Sequence, residues 1–285
     1  MRLKVACAQI APALAKVGEN LDLIADTILQ ASAEMIDLVV FPESAVSGYF
    51  LEGGVLECAL SSAELREALA GRLVSLDRPI DCVVGFYETF EGKLYNSAVY
   101  LACRPGETVV VHTYRKFFLP TYGVFDEQRF VAEGRELGVF ETRFGKVGIM
   151  ICEDVWHSIM PTLHAVAGAT LFIVPSASPG RGFSGDTVGN IELYRRLIKT
   201  ITEEHGVFCV NAQLCGFESG KGFVGGSCIY DPFGNELASS PILEPHLLLA
   251  NLDFDQLEIA RSKAPMLSDL MNSWSALKRI AEKLD

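Results

Sequence analysis

Val147-Gly-Ile-Met-Ile-Cys152-Glu153-Asp154-Val-Trp156 is the stretch on which the reading of this sequence turns. Its first half is an apolar, partly β-branched run that reads as a buried strand. The run ends in a cysteine followed at once by two acids and an aromatic ring. A side chain at a strand end can emerge at the rim of a sheet, where the sites of open α/β proteins collect. A thiol placed there is a candidate nucleophile wherever a neighbouring cation or base lowers its pKa. Alone, Cys152 reads as core filling, the commoner fate of a free thiol.

Working outward, two other apolar runs end in the same manner. Leu38-Val-Val-Phe-Pro-Glu43 stops at Pro42 and presents a carboxylate immediately after it. Tyr114-Arg-Lys116-Phe-Phe-Leu-Pro120 sets a lysine in an otherwise apolar and aromatic stretch. A solvated loop charge is the usual fate of Glu and Lys, yet Lys116, followed by Phe117 and Phe118, fits that poorly. A carboxylate, an ammonium and a thiol, each just past a strand, can converge at one rim. Such a trio can perform acyl transfer: Glu takes the thiol proton, Cys attacks a carbonyl, and Lys stabilises the oxyanion. No histidine is required.

The rest of the chain supplies a scaffold for that rim. Leu3–Ile10, Leu38–Phe41, Cys82–Phe86, Ser97–Ala102, Thr108–His112 and Val147–Ile151 read as strands, as do Thr170–Val174, Val207–Asn211, Ser227–Tyr230 and Leu247–Leu252. Asn20–Ser32, Ala63–Ser75, Pro161–Ala167 and Ile191–Glu204 read as helices. The last carries Ile191, Tyr194, Leu197, Ile198 and Ile201 on one face. Turn signals at Glu91-Gly92 and Pro105-Gly106 make the middle block hairpin-rich. The order predicts an α/β protein of mixed sheets with helices outside. No internal repeat, low-complexity stretch or linker breaks residues 1–285, so a single domain is expected. Leu267, Leu270, Met271, Trp274, Leu277, Ile280 and Leu284 mark 266–285 as an amphipathic helix, packed on its own domain or used in dimerisation.

Composition excludes several classes. With 49% hydrophobic and 21% charged residues and a mean hydropathy of +0.26, the chain has ample core material and is neither disordered nor collagen-like. Lys plus Arg is 24 against 36 Asp plus Glu, a net charge of −12. Nucleic acid and anionic membrane surfaces are therefore not expected partners. Eight scattered cysteines without a C-x-x-C do not suggest a disulfide framework, and five histidines form no ligand pair, so no metal is expected. There is no secretory apolar segment at the start and no run of the roughly 18 apolar residues that suggests a membrane span. A cytoplasmic location is the expectation.

Phe41-Pro-Glu43, Lys116-x-x-Leu-Pro120 and Cys152-Glu-Asp together resemble the signature of the nitrilase superfamily, the carbon–nitrogen hydrolases. The resemblance covers nearly the whole chain and takes in Gln9, Asn96-Ser97 and Pro175-Ser-Ala-Ser178-Pro179. Leu119-Pro-Thr-Tyr-Gly-Val-Phe-Asp-Glu127-Gln-Arg-Phe, Ile151-Cys-Glu-Asp-Val-Trp156 and Phe223-Val-Gly-Gly-Ser-Cys are similar to the glutaminase (amidase) domain of glutamine-dependent NAD synthetases. A chain ending at Asp285 has no room for their synthetase domain, so a free-standing amidase is expected. The resemblance implies a four-layer α-β-β-α sandwich, a Glu43–Lys116–Cys152 triad and Glu127 as a second carboxylate supporting the lysine. It also implies an oxyanion hole of Lys116 and the Glu153 N–H, and a pocket including Tyr122, Phe125 and Ser178. A small-molecule amide substrate and no cofactor are expected, and the stripe of 266–285 adds the expectation of a homodimer or higher homo-oligomer. Cys-Glu-Asp stands where true nitrilases usually carry Cys-Trp-Glu, which turns the reading away from nitriles.

Other readings remain open at this level. The same triad could serve a nitrilase or an acyltransferase, or the fold could bind without turning over. Gly180-Arg-Gly182-Phe-Ser-Gly185 matches G-x-G-x-x-G but does not follow a strand directly, so it reads as a loop near the pocket. Gly216-Phe-Glu-Ser-Gly220-Lys221 falls short of a P-loop and reads as a turn. A Cys152–His157 dyad would leave Lys116 and Glu43 unexplained. The acids Glu127, Glu153 and Asp154 suggest a cationic or amino-bearing amide such as glutamine, a preference Arg181 could offset.

Overall fold

The computed structural model describes residues 1–184 and 187–284. Strand β1 (Arg2–Gln9) and helix α1 (Val17–Ala33) lead into β2 (Leu38–Val40), which pairs with β1 in parallel. Short helices α2 (Val55–Cys58) and α3 (Ser62–Arg72) precede β3 (Ile80–Phe90), β4 (Lys93–Arg104) and β5 (Glu107–Arg115). Two-residue turns at Glu91-Gly92 and Pro105-Gly106 join these three strands, as their turn residues predict. In the first turn both residues take positive φ, 48° and 74°, the conformation that matches strand twist.

The second half continues with β6 (Val139–Thr142), β7 (Gly145–Ile149), a 3-10 turn at Cys152–Trp156, α4 (Ile159–Val166) and β8 (Leu171–Ser176). A small ribbon of β9 (Phe183–Ser184) and β10 (Thr187–Val188) precedes α5 (Gly189–His205) and β11 (Phe208–Gln213). A second ribbon, β12 (Cys215–Glu218) and β13 (Lys221–Val224), is followed by β14 (Cys228–Tyr230), β15 (Glu236–Ser239) and β16 (His246–Asp253). Helices α6 (Asp255–Lys263) and α7 (Met266–Ala281) come last.

Two six-stranded sheets result, ordered β16-β1-β2-β3-β4-β5 and β15-β14-β11-β8-β7-β6. From β16 across the first sheet the pairings run antiparallel, parallel, parallel, antiparallel, antiparallel. From β6 across the second they run in the same series. The duplication is topological, with no matching repeat in the sequence. Period-2 alternation assigns the faces. On β1, Val5 and Cys7 share a core with Ile149, Ile173 and Val210 of the second sheet, while Ala6 and Ala8 share another with Ile24, Ile28, Leu65 and Leu69 of α1 and α3. Helix α5 buries Tyr194, Ile198 and Ile201 in the first of these cores. The layers are therefore helix, sheet, sheet, helix, the four-layer α/β arrangement expected.

Helix α7 forms where its stripe predicts, though only Leu267 on it is fully buried. Asp285 and Gly185 of the glycine loop lie outside the described residues. Among the described residues no helix is long and apolar enough to cross a membrane.

Candidate active site

Glu43 is placed by a close approach of backbone to backbone. A Cβ on Gly85 of β3 would lie 2.3 Å from the Pro42 carbonyl oxygen and 2.7 Å from the Glu43 Cα, so only glycine lets the loop after β2 rest on β3. The Glu43 side chain is fully buried and satisfied. Its Oε1 accepts from Asn96 Nδ2 at 2.8 Å and from Lys116 Nζ at 2.7 Å, and its Oε2 accepts the Ala177 N–H at 2.8 Å.

Lys116 follows β5, where successive side chains point to opposite faces. Arg115 makes a two-pronged pair with Glu88 at 2.7 and 2.9 Å. Lys116 is 1% exposed and donates to Glu127 Oε1 at 2.6 Å as well as to Glu43. Burial alone would lower its pKa; the Glu127 and Glu43 carboxylates outweigh this and hold the ammonium well above its ordinary value. Glu127 sits in a 3-10 turn (Glu127–Arg129) and also accepts from the Tyr49 hydroxyl. Burial pushes the Glu127 carboxyl up to about 7 despite the lysine.

Cys152 opens its 3-10 turn with φ of +48°, a left-handed conformation that a non-glycine residue adopts only when its surroundings enforce it. Its Sγ lies 3.1 Å from the Tyr194 hydroxyl. Burial, then the Glu43 charge, push the thiol well above its usual value, and Lys116, Tyr194 and the Ala177 N–H only partly offset them. Lys116 favours the charged sulfur, but two carboxylates already engage its ammonium, so it does not outweigh the burial.

Asp154 turns out to be structural. Its Oδ1 accepts the Phe117 and Phe118 N–H groups at 3.1 and 2.8 Å, and its Oδ2 accepts the Ile151 N–H at 2.9 Å and the Tyr114 hydroxyl at 2.8 Å. It staples the Lys116 segment to the Cys152 turn and offers substrate no charge. Glu127 is likewise engaged, so the predicted acidic attraction reduces to Glu153.

The other expected pocket residues lie at the mouth. The Tyr122 hydroxyl donates to Glu153 at 2.8 Å, and Phe125 packs edge-on against both Tyr122 and Tyr49. The Arg181 guanidinium stands 5.2 Å from the Phe125 ring centre, so the glycine loop does border the pocket. Ser178 is 4% exposed and accepts from Asn190 at 2.9 Å. His157 stacks on Phe118 and faces Glu153 at 3.5 Å, away from a dyad with Cys152. Two cavities flank the cluster: one of about 280 Å³ walled by Tyr49 and Glu127, the other of about 310 Å³ walled by Tyr122, Glu153 and His157.

Three residues at the cluster were not assigned from sequence. Asn96 bridges Glu43 and, at 3.4 Å, Glu127. Tyr49 is held by Glu218, whose carboxylate accepts the N–H groups of Tyr49 and Phe50, both at 2.9 Å. Tyr194 sits on the apolar face of α5, where periodicity marks it only as core.

Comparison with known proteins bears on family and fold. The carbon-nitrogen hydrolase family model matches residues 4–262. The glutamine-dependent NAD(+) synthetase of Thermotoga maritima is 28% identical over 90% of this chain, and that of Xanthomonas campestris pv. campestris is 34% identical over 81%. The chain spans only 43% and 40% of those two relatives. Among solved structures, an amidase from Nesterenkonia sp. aligns with a TM-score of 0.73 at 28% identity, covering 92% of this chain and 94% of that one. The glutamine-dependent NAD+ synthetase of Acinetobacter baumannii aligns with a TM-score of 0.78 at 26% identity, covering 90% of this chain and 47% of its own.

Proposed function

Because the chain belongs to the carbon-nitrogen hydrolase family, we propose that it is an amidase working through a Glu43–Lys116–Cys152 triad. The observation that carries this is the meeting of the three at one buried point. Glu43 touches the lysine directly and accepts the Ala177 N–H, and the Glu43 and Lys116 charges both act on the Cys152 thiol. Glu43 takes the thiol proton as Sγ attacks the amide carbonyl carbon. The oxyanion that forms faces Lys116 and the Glu153 N–H, since the first N–H groups of a helical turn have no partner within it. An ammonium has three N–H bonds; Glu43 and Glu127 take two, and the third serves the oxyanion. Collapse breaks the C–N bond, Glu43 returns the proton to the departing nitrogen, and a thioester remains. Water, deprotonated by Glu43, hydrolyses the thioester and regenerates the thiol.

At the mouth, Glu153 beside Tyr122 and Arg181 beside Phe125 offer opposite charges. They suit an amide that carries both an amino group and a carboxylate, such as glutamine. The similarity to glutamine-dependent synthetases supports the same choice. We further propose a homodimer or higher homo-oligomer, and a cytoplasmic location. All eight cysteines are free thiols, which suits a reducing compartment; recovery of the protein from a secreted fraction would count against that placement.

Ammonia release from a panel of amides including glutamine tests the activity, with a matching nitrile panel beside it. Release from amides that vanishes in a folded Cys152→Ala variant is the expected result, and retained turnover in that variant removes the proposal. Release from nitriles alone would replace amidase by nitrilase. Lys116→Ala is a poorer control, because two buried carboxylates would lose their counter-charge, at a cost of about 3–5 kcal/mol.

A further inference from the structure

We propose that the Tyr194 hydroxyl is a further catalytic group, a hydrogen-bond donor to the Cys152 sulfur that turns the thiol proton toward Glu43. The inference rests on the reading of Cys152 as nucleophile. The hydroxyl and the sulfur are 3.1 Å apart, and both residues are buried. The chemistry of the step fixes the direction of this hydrogen bond: a sulfur that has given up its proton can only accept, so the phenol O–H is the donor. Trp156 packs edge-on against Tyr194, with ring centres 5.3 Å apart and planes at 84°, and holds the phenol in place.

The thiol hydrogen must then point elsewhere. Glu43, held by the Ala177 N–H at 2.8 Å, is the carboxylate whose charge acts most on the thiol, and it is the group placed to receive this hydrogen. The polarity runs from the Tyr194 O–H through the Cys152 S–H to the Glu43 carboxylate. A sulfur that accepts a hydrogen bond releases its proton more readily. The effect is largest when sulfur carries negative charge, as it enters the attack on the amide and as it leaves the thioester. The titratable groups facing the sulfur are Glu43 after β2, Lys116 and Tyr122 after β5, and Tyr194 on α5. A tyrosine that only filled the space between α5 and the sheet would serve as well as phenylalanine. Its hydroxyl on the reacting atom is what phenylalanine would lack.

Tyr194→Phe removes the hydroxyl and keeps the ring. Two readouts separate a chemical role from packing: the pH dependence of Cys152 alkylation by iodoacetamide, followed by mass spectrometry of its peptide, and the kcat and KM of amide hydrolysis. The expected result is alkylation slowed about tenfold at neutral pH with its midpoint moved to higher pH, and kcat down about tenfold at unchanged KM. Alkylation in Tyr194→Phe at the wild-type rate and midpoint, whatever its melting temperature, overturns the proposal. If no amide is turned over by the wild type while Tyr194→Phe still slows alkylation, the amidase reading falls and the hydroxyl's role on the thiol stands. If hydrolysis is lost in Cys152→Ala but unchanged in Tyr194→Phe, the hydroxyl's role falls alone.

Discussion

Glu127 is the residue whose state sets how firmly Lys116 is held. Its carboxyl, pushed by burial up to about 7 from an ordinary 4.5, takes up a proton as pH falls through neutrality. Lys116 then keeps one charged partner where it had two. The sign for stability follows. Between about 4.5 and 7 the folded chain holds this proton more tightly than the unfolded one, so the contribution of Glu127 to stability falls as pH rises through that window and is level above it. Activity runs the other way: kcat/KM is expected to drop below about pH 7. In Glu127→Gln it should sit roughly ten- to a hundredfold lower, with that acid limb gone. An unchanged acid limb in the variant would assign it to another group. Glu43, Lys116 and Cys152 were legible in the sequence because each stands just past an apolar run, an unusual place for such a group. Asp154 was misread as pocket charge because adjacency to Cys152 does not reveal the four donors that surround its carboxylate. Tyr194 was legible only as core, since periodicity names a face and says nothing of which atom on that face meets the sulfur.

At the scale of elements, every apolar run read as a strand is one in the structure, since both sheets are buried and their strands need continuous hydrophobic sequence. What escaped is short or polar: the edge strands β6 and β15, the ribbons β9–β10 and β12–β13, and helices α2 and α6. The ribbon of β12 and β13 is instructive. Gly216 to Lys221 reads as a turn, but only Ser219 and Gly220, at φ of 47° and 77°, make one; Gly216–Glu218 and Lys221 belong to the strands, which hold the buried Glu218 that fixes Tyr49. Gly85 argues the converse, that a residue without a side chain can position a site. Glycine inside a strand costs about 0.5–1 kcal/mol relative to alanine, so β3 bears a penalty at this point. Gly85→Ala would set its Cβ against the backbone of Pro42 and Glu43, which cannot rotate away. A stability loss of about 1–3 kcal/mol is expected, together with at least a tenfold fall in kcat as Glu43 shifts. Gly92→Ala at an open turn is the control, and it should lower the melting temperature slightly and leave turnover intact. Full activity in a folded Gly85→Ala would show that Glu43 does not depend on this approach.

Across the whole molecule, the shared pairing series of the two sheets explains why the candidate site draws on both. Glu43 and Lys116 come from strand ends of the first sheet, Cys152 and Ala177 from strand ends of the second, so the cluster forms only when the sheets are stacked. On the helical side of the second sheet, α7 packs on α4, α5 and α6 while most of its apolar stripe stays in solvent. Met271, Leu277 and Ile280 are 53%, 41% and 57% exposed, an apolar surface of the kind that marks a contact with another molecule. For a second copy of this chain as that partner, light scattering at micromolar concentration should give a multiple of 31.1 kDa, and the melting temperature should rise with concentration. Met271→Lys combined with Ile280→Glu should return the mass to 31.1 kDa and remove the concentration dependence. A wild-type mass of one chain would overturn the oligomer. A multimer indifferent to the double substitution would move its interface off α7. The placement has a consequence for the chemistry: α7 supports α5, and α5 carries Tyr194, so an assembly through α7 would brace the helix that holds a hydroxyl against the Cys152 sulfur.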